Sequence, residues 1–484
     1  MSDPLSFLPL ALAAHGGRVD EHEAQRLVAA GFTLLQRSVA LVRALGGKRA
    51  ALLLPTSPQF FVALAAAEGR GAVLVNPLAA APEIAYQISD ANVGAVFTVQ
   101  ALASRVPEHV TRVLLDDAPR SARVLFDGVA REIDLGSHFG LSLEGDAGAT
   151  GSDDEAAIVY TSAMASRPLG AILSHRNLLA NARSTVQAGQ QTAEDRVLAL
   201  LPFSHLFGLT VTASAPLLSG AQVVTMARFN PVRAAELIAS GEITEVVGVP
   251  AIFHALLAAL ERVGGSAGAL RLCICGGAVL PIELQHRWAD RTGVELRQGY
   301  GLTEAAPVCL FNHVGEPNAR GALGRPFPGV AVSIREPIAY NESGLPQIHW
   351  SAEMPEGSVG EICVKGENVF AGYLSHERAG LPVIDGWLHT GDLGHQRQDG
   401  RIVFHGMVKP MSTRNGFNVY PREVEAAVLE MPGVHSARVR FVADPTREHD
   451  IVLTVSGRVD ESAVREWCES RLAAYKQPST IEIE

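Results

Sequence analysis

The densest chemistry in the chain lies in LRQGYGLTEAAPV, residues 296–308. Gly299 and Gly301 flank Tyr300, and a glycine carries no side chain to keep a flat ligand off the backbone. After Leu302, Thr303 offers a hydroxyl to a phosphate oxygen. Glu304 offers a carboxylate to a hard cation such as Mg²⁺, which prefers oxygen ligands and phosphate partners. The same residues could also be a turn closed by a helix capped by Thr303. Three more segments carry groups of this kind: ICGGAVLP with Gly276, Gly277 and Ala278, GWLHTGDLG with Asp392, and LPFSHLFGL with His205. Plain glycine turns and a hydrogen-bonded core histidine are the competing readings.

These segments need elements to hold them. Short apolar or β-branched runs alternate with stretches of helical period: RAALLLP at 49, AVLVNP at 72, AVFTV at 95, AAIVYTS at 156, AQVVTM at 221, EVVGVP at 245 and LRLCICGG at 270. Helices are expected between them, for example over residues 58–68, 82–91, 231–240 and 251–263. That alternation predicts an α/β fold with parallel-rich sheets covered by helices, and ligands bind beyond the carboxyl ends of such strands. After about residue 315 shorter strands rich in Gly and Pro predict a small β-rich layer. Residues 421–484 return to a compact α+β pattern, with two helices at 421–431 and 461–474. The expected division is a large domain over 1–402, a hinge over 403–410 and a small mobile C-terminal domain over 411–484.

Composition narrows the function. A chain of 484 residues with 47% hydrophobic side chains can bury more than one core, since single domains rarely exceed about 250 to 300 residues. The net charge of -11 argues against nucleic-acid binding, which needs clustered Lys and Arg. The five cysteines give neither an even disulfide framework nor ligand spacing with histidines, and Cys273 and Cys275 read as buried strand residues. The N-terminus lacks a basic leader and carries Asp3, which fits a secretory signal poorly. The longest apolar stretch, 51–67, is broken by Pro55, Ser57, Pro58 and Gln59, so no membrane span is expected. A cytoplasmic protein is the default, and a homodimer the default assembly.

The order of these blocks resembles the superfamily of acyl- and aryl-CoA synthetases, peptide-synthetase adenylation domains and luciferases, the AMP-binding enzymes. The resemblance runs from RAALLLPTSPQFFVALAAAEGRGAVLVNPLAAAPEIAYQI to NGFNVYPREVE and AAYKQP. It implies that Gly299, Tyr300, Gly301 and Leu302 lie against an adenylate, with Thr303 on the α-phosphate and Glu304 on the metal. It implies that Asp392 accepts hydrogen bonds from the ribose hydroxyls, that His205 stands at the acyl-pocket wall, and that Gly276, Gly277 and Ala278 run beside the adenine and acyl chain. Gly416 then belongs to the loop that passes the phosphopantetheine thiol, and Lys409 falls at the hinge. ATP, Mg²⁺ and coenzyme A or a carrier thiol are the implied cofactors. A small carboxylic acid is the implied substrate, with an acyl carrier protein as an alternative acceptor.

Departures from the family pattern qualify that implication. The phosphate loop, ordinarily rich in Ser, Thr and Gly and ending in Pro-Lys-Gly, reads YTSAMASRPLG. Thr161 and Ser162 remain there, and Arg167 supplies charge two residues before the missing lysine. Met407 stands where the family has an arginine, and the sequence ends at STIEIE, where a Gly-Lys loop is expected to begin. These features weaken the ATP half-reaction more than thiol transfer. The expectation is an AMP-forming acid:thiol ligase for a fatty-acyl or aryl acid. The alternatives are a ligand-binding or scaffold protein with an impaired pocket, or an enzyme using a preformed adenylate.

Overall fold

The structure, a computed structural model, describes residues 7–67, 71–116, 120–136, 152–161, 168–338, 351–374, 382–408 and 412–484. Apolar runs of four to seven residues cannot hide themselves as helices and instead line up as neighbouring strands. One nine-stranded sheet runs Arg325–Pro326, Val308–Phe311, Leu296–Gly301, Leu272–Cys275, Glu245–Gly248, Arg196–Ala199, Gln222–Thr225, Arg18–Val19 and His22–Glu23. Its centre is parallel, and both ends finish in antiparallel pairs. A second nine-stranded sheet has Arg49–Leu53 between Ala72–Leu74 and Val93–Thr98, again parallel at the centre with antiparallel edges. All four residues of Leu272–Cys275 are buried and the thiols of Cys273 and Cys275 are free, as the apolar run predicts for a strand covered on both faces.

The expected helices form with local signals at their starts. Pro231–Ala239 opens on Asn230, whose side-chain oxygen accepts from the backbone N–H groups of Val232 and Arg233. Pro250–Val263 places its proline in the first turn, where a missing N–H costs nothing. The β-rich layer joins Val330–Arg335, Gly360–Gly366, Trp387–Gln396, Val383–Ile384 and Ile402–Met407 in one sheet. The small C-terminal domain has a core of its own, centred on Val424, Ile451, Leu453, Val464 and Ile481. Its second helix ends at Arg471, three residues short of the expected 474. Leu472 turns to extended backbone there, and a single 3₁₀ turn, Ala474–Lys476, carries Lys476 inward. Among the described residues no helix is long and apolar enough to cross a membrane.

One buried histidine makes the fold acid-sensitive. His175 is 1% exposed and its Nδ1 accepts the N–H of Leu8 at 3.1 Å. Burial lowers its pKa from 6.5 to about 4. The unfolded chain therefore takes up the proton first, so the stability contribution is complete above about pH 6.5 and is lost as the pH falls toward 4. Denaturant unfolding should lose about 2 kcal/mol from this group between pH 7 and 5, at 1.36 kcal/mol per pKa unit. In His175→Gln the loss should shrink by that amount, and an unchanged pH slope would assign the sensitivity to another group.

Candidate functional site

Four adjacent parallel strands end at one edge of the first sheet. Glu245–Gly248 leads into Val249, Leu272–Cys275 into Gly276 and Gly277, Leu296–Gly301 into Leu302, Thr303 and Glu304, and Arg196–Ala199 into the turn carrying His205. The register Gly248↔Cys275↔Gln298 sets Gly276 beside Gly299. A Cβ on Gly276 would come within 3.0 Å of the Gly299 carbonyl oxygen and the Phe207 ring. Gly277 has φ +76 and is exposed, Ala278 is half-buried, and both lie on the same loop. A Cβ on Gly301 would stand 1.9 Å from the Pro307 carbonyl oxygen, so this position excludes every other residue.

The two segments singled out by chemistry meet. The Tyr300 hydroxyl donates to Asp392 Oδ2 at 2.6 Å, across 92 residues. Burial, and then the Asp392 carboxylate, pushes the Tyr300 phenol well above its usual pKa, so it remains the donor. Thr303 and Glu304 form a short 3₁₀ turn, and Glu304 Oε1 accepts from the Tyr373 hydroxyl at 2.7 Å. Tyr373 comes from the second sheet through its pairing with Ala171. Thr161 ends the neighbouring strand, opposite Leu169, so the start of the phosphate-loop segment belongs to the same sheet edge as Tyr373. Ser162, Arg167 and Lys409 lie outside the described residues.

His205 sits two residues before Phe207, whose N–H it accepts at Nδ1, 3.2 Å away. Although part of its side chain reaches solvent, its apolar surroundings lower its pKa to about 4. At neutral pH it is an uncharged imidazole. The following turn, Phe207–Ser214, is a π-helix, a form that often marks a functional site.

The small domain also reaches this edge. Gly416 has φ +78, and its backbone packs so closely on Val249 that a Cβ would lie 2.4 Å from Val249 Cγ1. The Gly416 carbonyl oxygen is 3.6 Å from where a Gly277 Cβ would be. Tyr420 follows on the same segment. Burial first, then the facing carboxylates of Glu304 and Asp392, raise its phenol pKa.

Several site residues carried no signal in the sequence. Glu361 is fully buried and accepts the Gly391 N–H at 2.7 Å with Oε1. Its Oε2 takes the N–H of Ile338 at 3.0 Å and meets His389 Nδ1 at 2.9 Å. These bonds fix the stretch of the strand Trp387–Gln396 that carries Asp392. Cys363 Sγ lies in the same group, all three ligand-type atoms being within 4.8 Å of one another. Spacing along the chain does not show this grouping. Both Glu361 oxygens already accept N–H groups, so the cluster is a hydrogen-bonded support rather than a metal centre. Glu361 and Tyr373 meet their partners only through sheet pairing, which no local pattern encodes.

Comparison with known proteins gives the family. The model of a family described as AMP-binding enzyme matches residues 38–374. The chain belongs to the AMP-binding enzyme family. This AMP-binding enzyme is 32% identical over 446 residues to a feruloyl-CoA synthase from Amycolatopsis sp, covering 90% of the chain and 84% of the relative. It is 28% identical to a long-chain-fatty-acid–CoA ligase from Bacillus subtilis (strain 168), covering 90% and 82%. Among solved structures, a malonyl-CoA ligase in a ternary product complex with methylmalonyl-CoA and AMP superposes with a TM-score of 0.76 at 25% identity, covering 100% of this chain and 99% of that one.

Proposed function

We propose that the chain is an AMP-forming acid:thiol ligase that joins an aryl or fatty-acyl carboxylate to the thiol of coenzyme A. The observation that carries this reading is the Tyr300–Asp392 hydrogen bond, because it unites the glycine-lined strand end and the ribose-type acceptor in one cleft. The relatives named for CoA ligation of an aryl acid and of long-chain fatty acids support the reaction class and the acid types.

In the first step a carboxylate oxygen attacks the α-phosphorus of ATP and pyrophosphate leaves. In the second a thiolate attacks the acyl carbon and AMP leaves. The exposed Gly277 at the strand end presents bare backbone to a planar base, Asp392 accepts from the ribose hydroxyls, and Thr303 donates to the α-phosphate. A divalent cation fits here: Glu304 presents a hard oxygen donor, oriented by Tyr373, beside the Thr303 hydroxyl. Bound there, Mg²⁺ would supply charge against the phosphates, and the protein's part is to aim the Glu304 carboxylate through the Tyr373 hydroxyl. His205, neutral and beside Phe207, would line the acyl pocket. The scaffold reading is not favoured, since the described residues keep this machinery.

The test is pyrophosphate exchange with Mg²⁺ and ATP across a panel of cinnamate-type and C6 to C18 carboxylic acids. At least one acid should give exchange that depends on the metal and falls strongly in Glu304→Gln. Silence across the panel, with AMP still bound in titration calorimetry, would favour an enzyme that accepts only a delivered adenylate.

A further inference from the structure

Lys476 belongs to none of the groups assigned above, yet it is one of the most deeply buried cations among the described residues, with a side chain only 5% exposed. Its ammonium donates to Glu423 Oε1 at 2.5 Å, within the small domain. It also donates to Glu83 Oε1 at 2.8 Å, across 393 residues, in the large domain. Glu83 is itself fixed, because its Oε2 accepts the N–H of Ala80 at 2.6 Å and so caps the helix Ala81–Asp90. The helix Glu461–Arg471 packs against that same helix. Burial alone would lower the ammonium's pKa, but the surrounding carboxylates outweigh it and hold Lys476 charged.

The two carboxylates play unequal parts. Glu423 sits in the helix Pro421–Leu429 and travels with Lys476 wherever the small domain goes. Glu83 does not. Undocking would therefore leave Lys476 paired and Glu83 hydrated, so this contact can be broken without stranding a buried charge. The pair is also wired to the cleft. Tyr475, next to Lys476, stacks on Phe417 with centroids 4.3 Å apart and planes at 18°. Phe417 follows Gly416, the residue pressed on Val249.

We propose that Lys476 and Glu83 form an interdomain latch that holds the small domain in the orientation with the Gly416 loop over the cleft. Both are positioning residues, since neither touches the cleft. The catalytic consequence, preference for the thiol-transfer step, rests on the two-step reading above with the first step assigned to another orientation of the small domain, whereas the conformational claim rests on this contact alone.

The five native cysteines are all buried, so spin labels can be placed on the full chain at Val39→Cys and Val442→Cys, which are 62% and 42% exposed on the large and small domains. Electron–electron distance measurement without ligands should give one narrow distribution. Glu83→Gln, which removes the charge at the contact and keeps an oxygen to accept the Ala80 N–H, should shift or broaden it, lowering the docked population about tenfold relative to undocked forms. Lys476→Arg, which keeps the charge, should retain most of the docked population. A purely structural role would change the melting temperature and leave the distances alone. Identical distributions for Glu83→Gln and the parent would overturn the latch. A shifted distribution in a protein with no ligase activity would keep the latch and sink only the two-step reading.

Discussion

Asp392→Ala should weaken AMP binding by about 5- to 150-fold, equivalent to roughly 1 to 3 kcal/mol for loss of a charged acceptor. Two effects add in this variant. The ribose hydroxyls lose their acceptor, and the buried Tyr300 phenol loses the carboxylate it donates to at 2.6 Å. Asp392→Asn keeps an acceptor oxygen and should cost less. Calorimetry with AMP and with 2′,3′-dideoxy-AMP separates the two effects. The parent should prefer AMP, and the alanine variant should bind both nucleotides alike. If the variant still distinguishes them, the ribose lies elsewhere and the proposed cleft is wrong.

Gly416→Ala should slow thiol transfer about 100-fold, the scale expected when a reacting group is displaced by about an ångström, while pyrophosphate exchange stays within a few-fold of the parent. The reason is local. At φ +78 an alanine is strained, and its Cβ would overlap Val249, with Cγ1 only 2.4 Å away. Backbone on either side has to move, and the loop can no longer seat on the large domain. The clash exists only while the small domain is docked, and the proposed two-step reaction with its first step in another orientation predicts that this step escapes it. Val249→Ala in the same chain should restore part of the rate. Equal loss in both steps, or no rescue, would show that the glycine serves the small domain's own folding instead.

The two variants also separate what could be read along the chain from what could not. Periodicity and glycine placement marked the strands at 49, 72, 245 and 270, the helices between them and the motif 299–304, since these depend on neighbours a few residues apart. The quoted motifs and their order along the chain were enough to suggest the family. The helix end at Arg471 was missed, because the turn there is set by Lys476 reaching two carboxylates and not by a local stop signal.

The sequence by itself determined which groups are available: the glycines of two strand ends, the hydroxyl and carboxylate of Thr303 and Glu304, and the Asp392 carboxylate. Only the tertiary structure decided which of them face each other. Tyr300 finds Asp392, Tyr373 finds Glu304, Glu361 supports Gly391, and Lys476 crosses to Glu83, at separations of 92, 69, 30 and 393 residues. Hydrophobic period and turn chemistry act over one or two turns of chain, whereas these meetings depend on the order of strands in two sheets and on where the small domain docks.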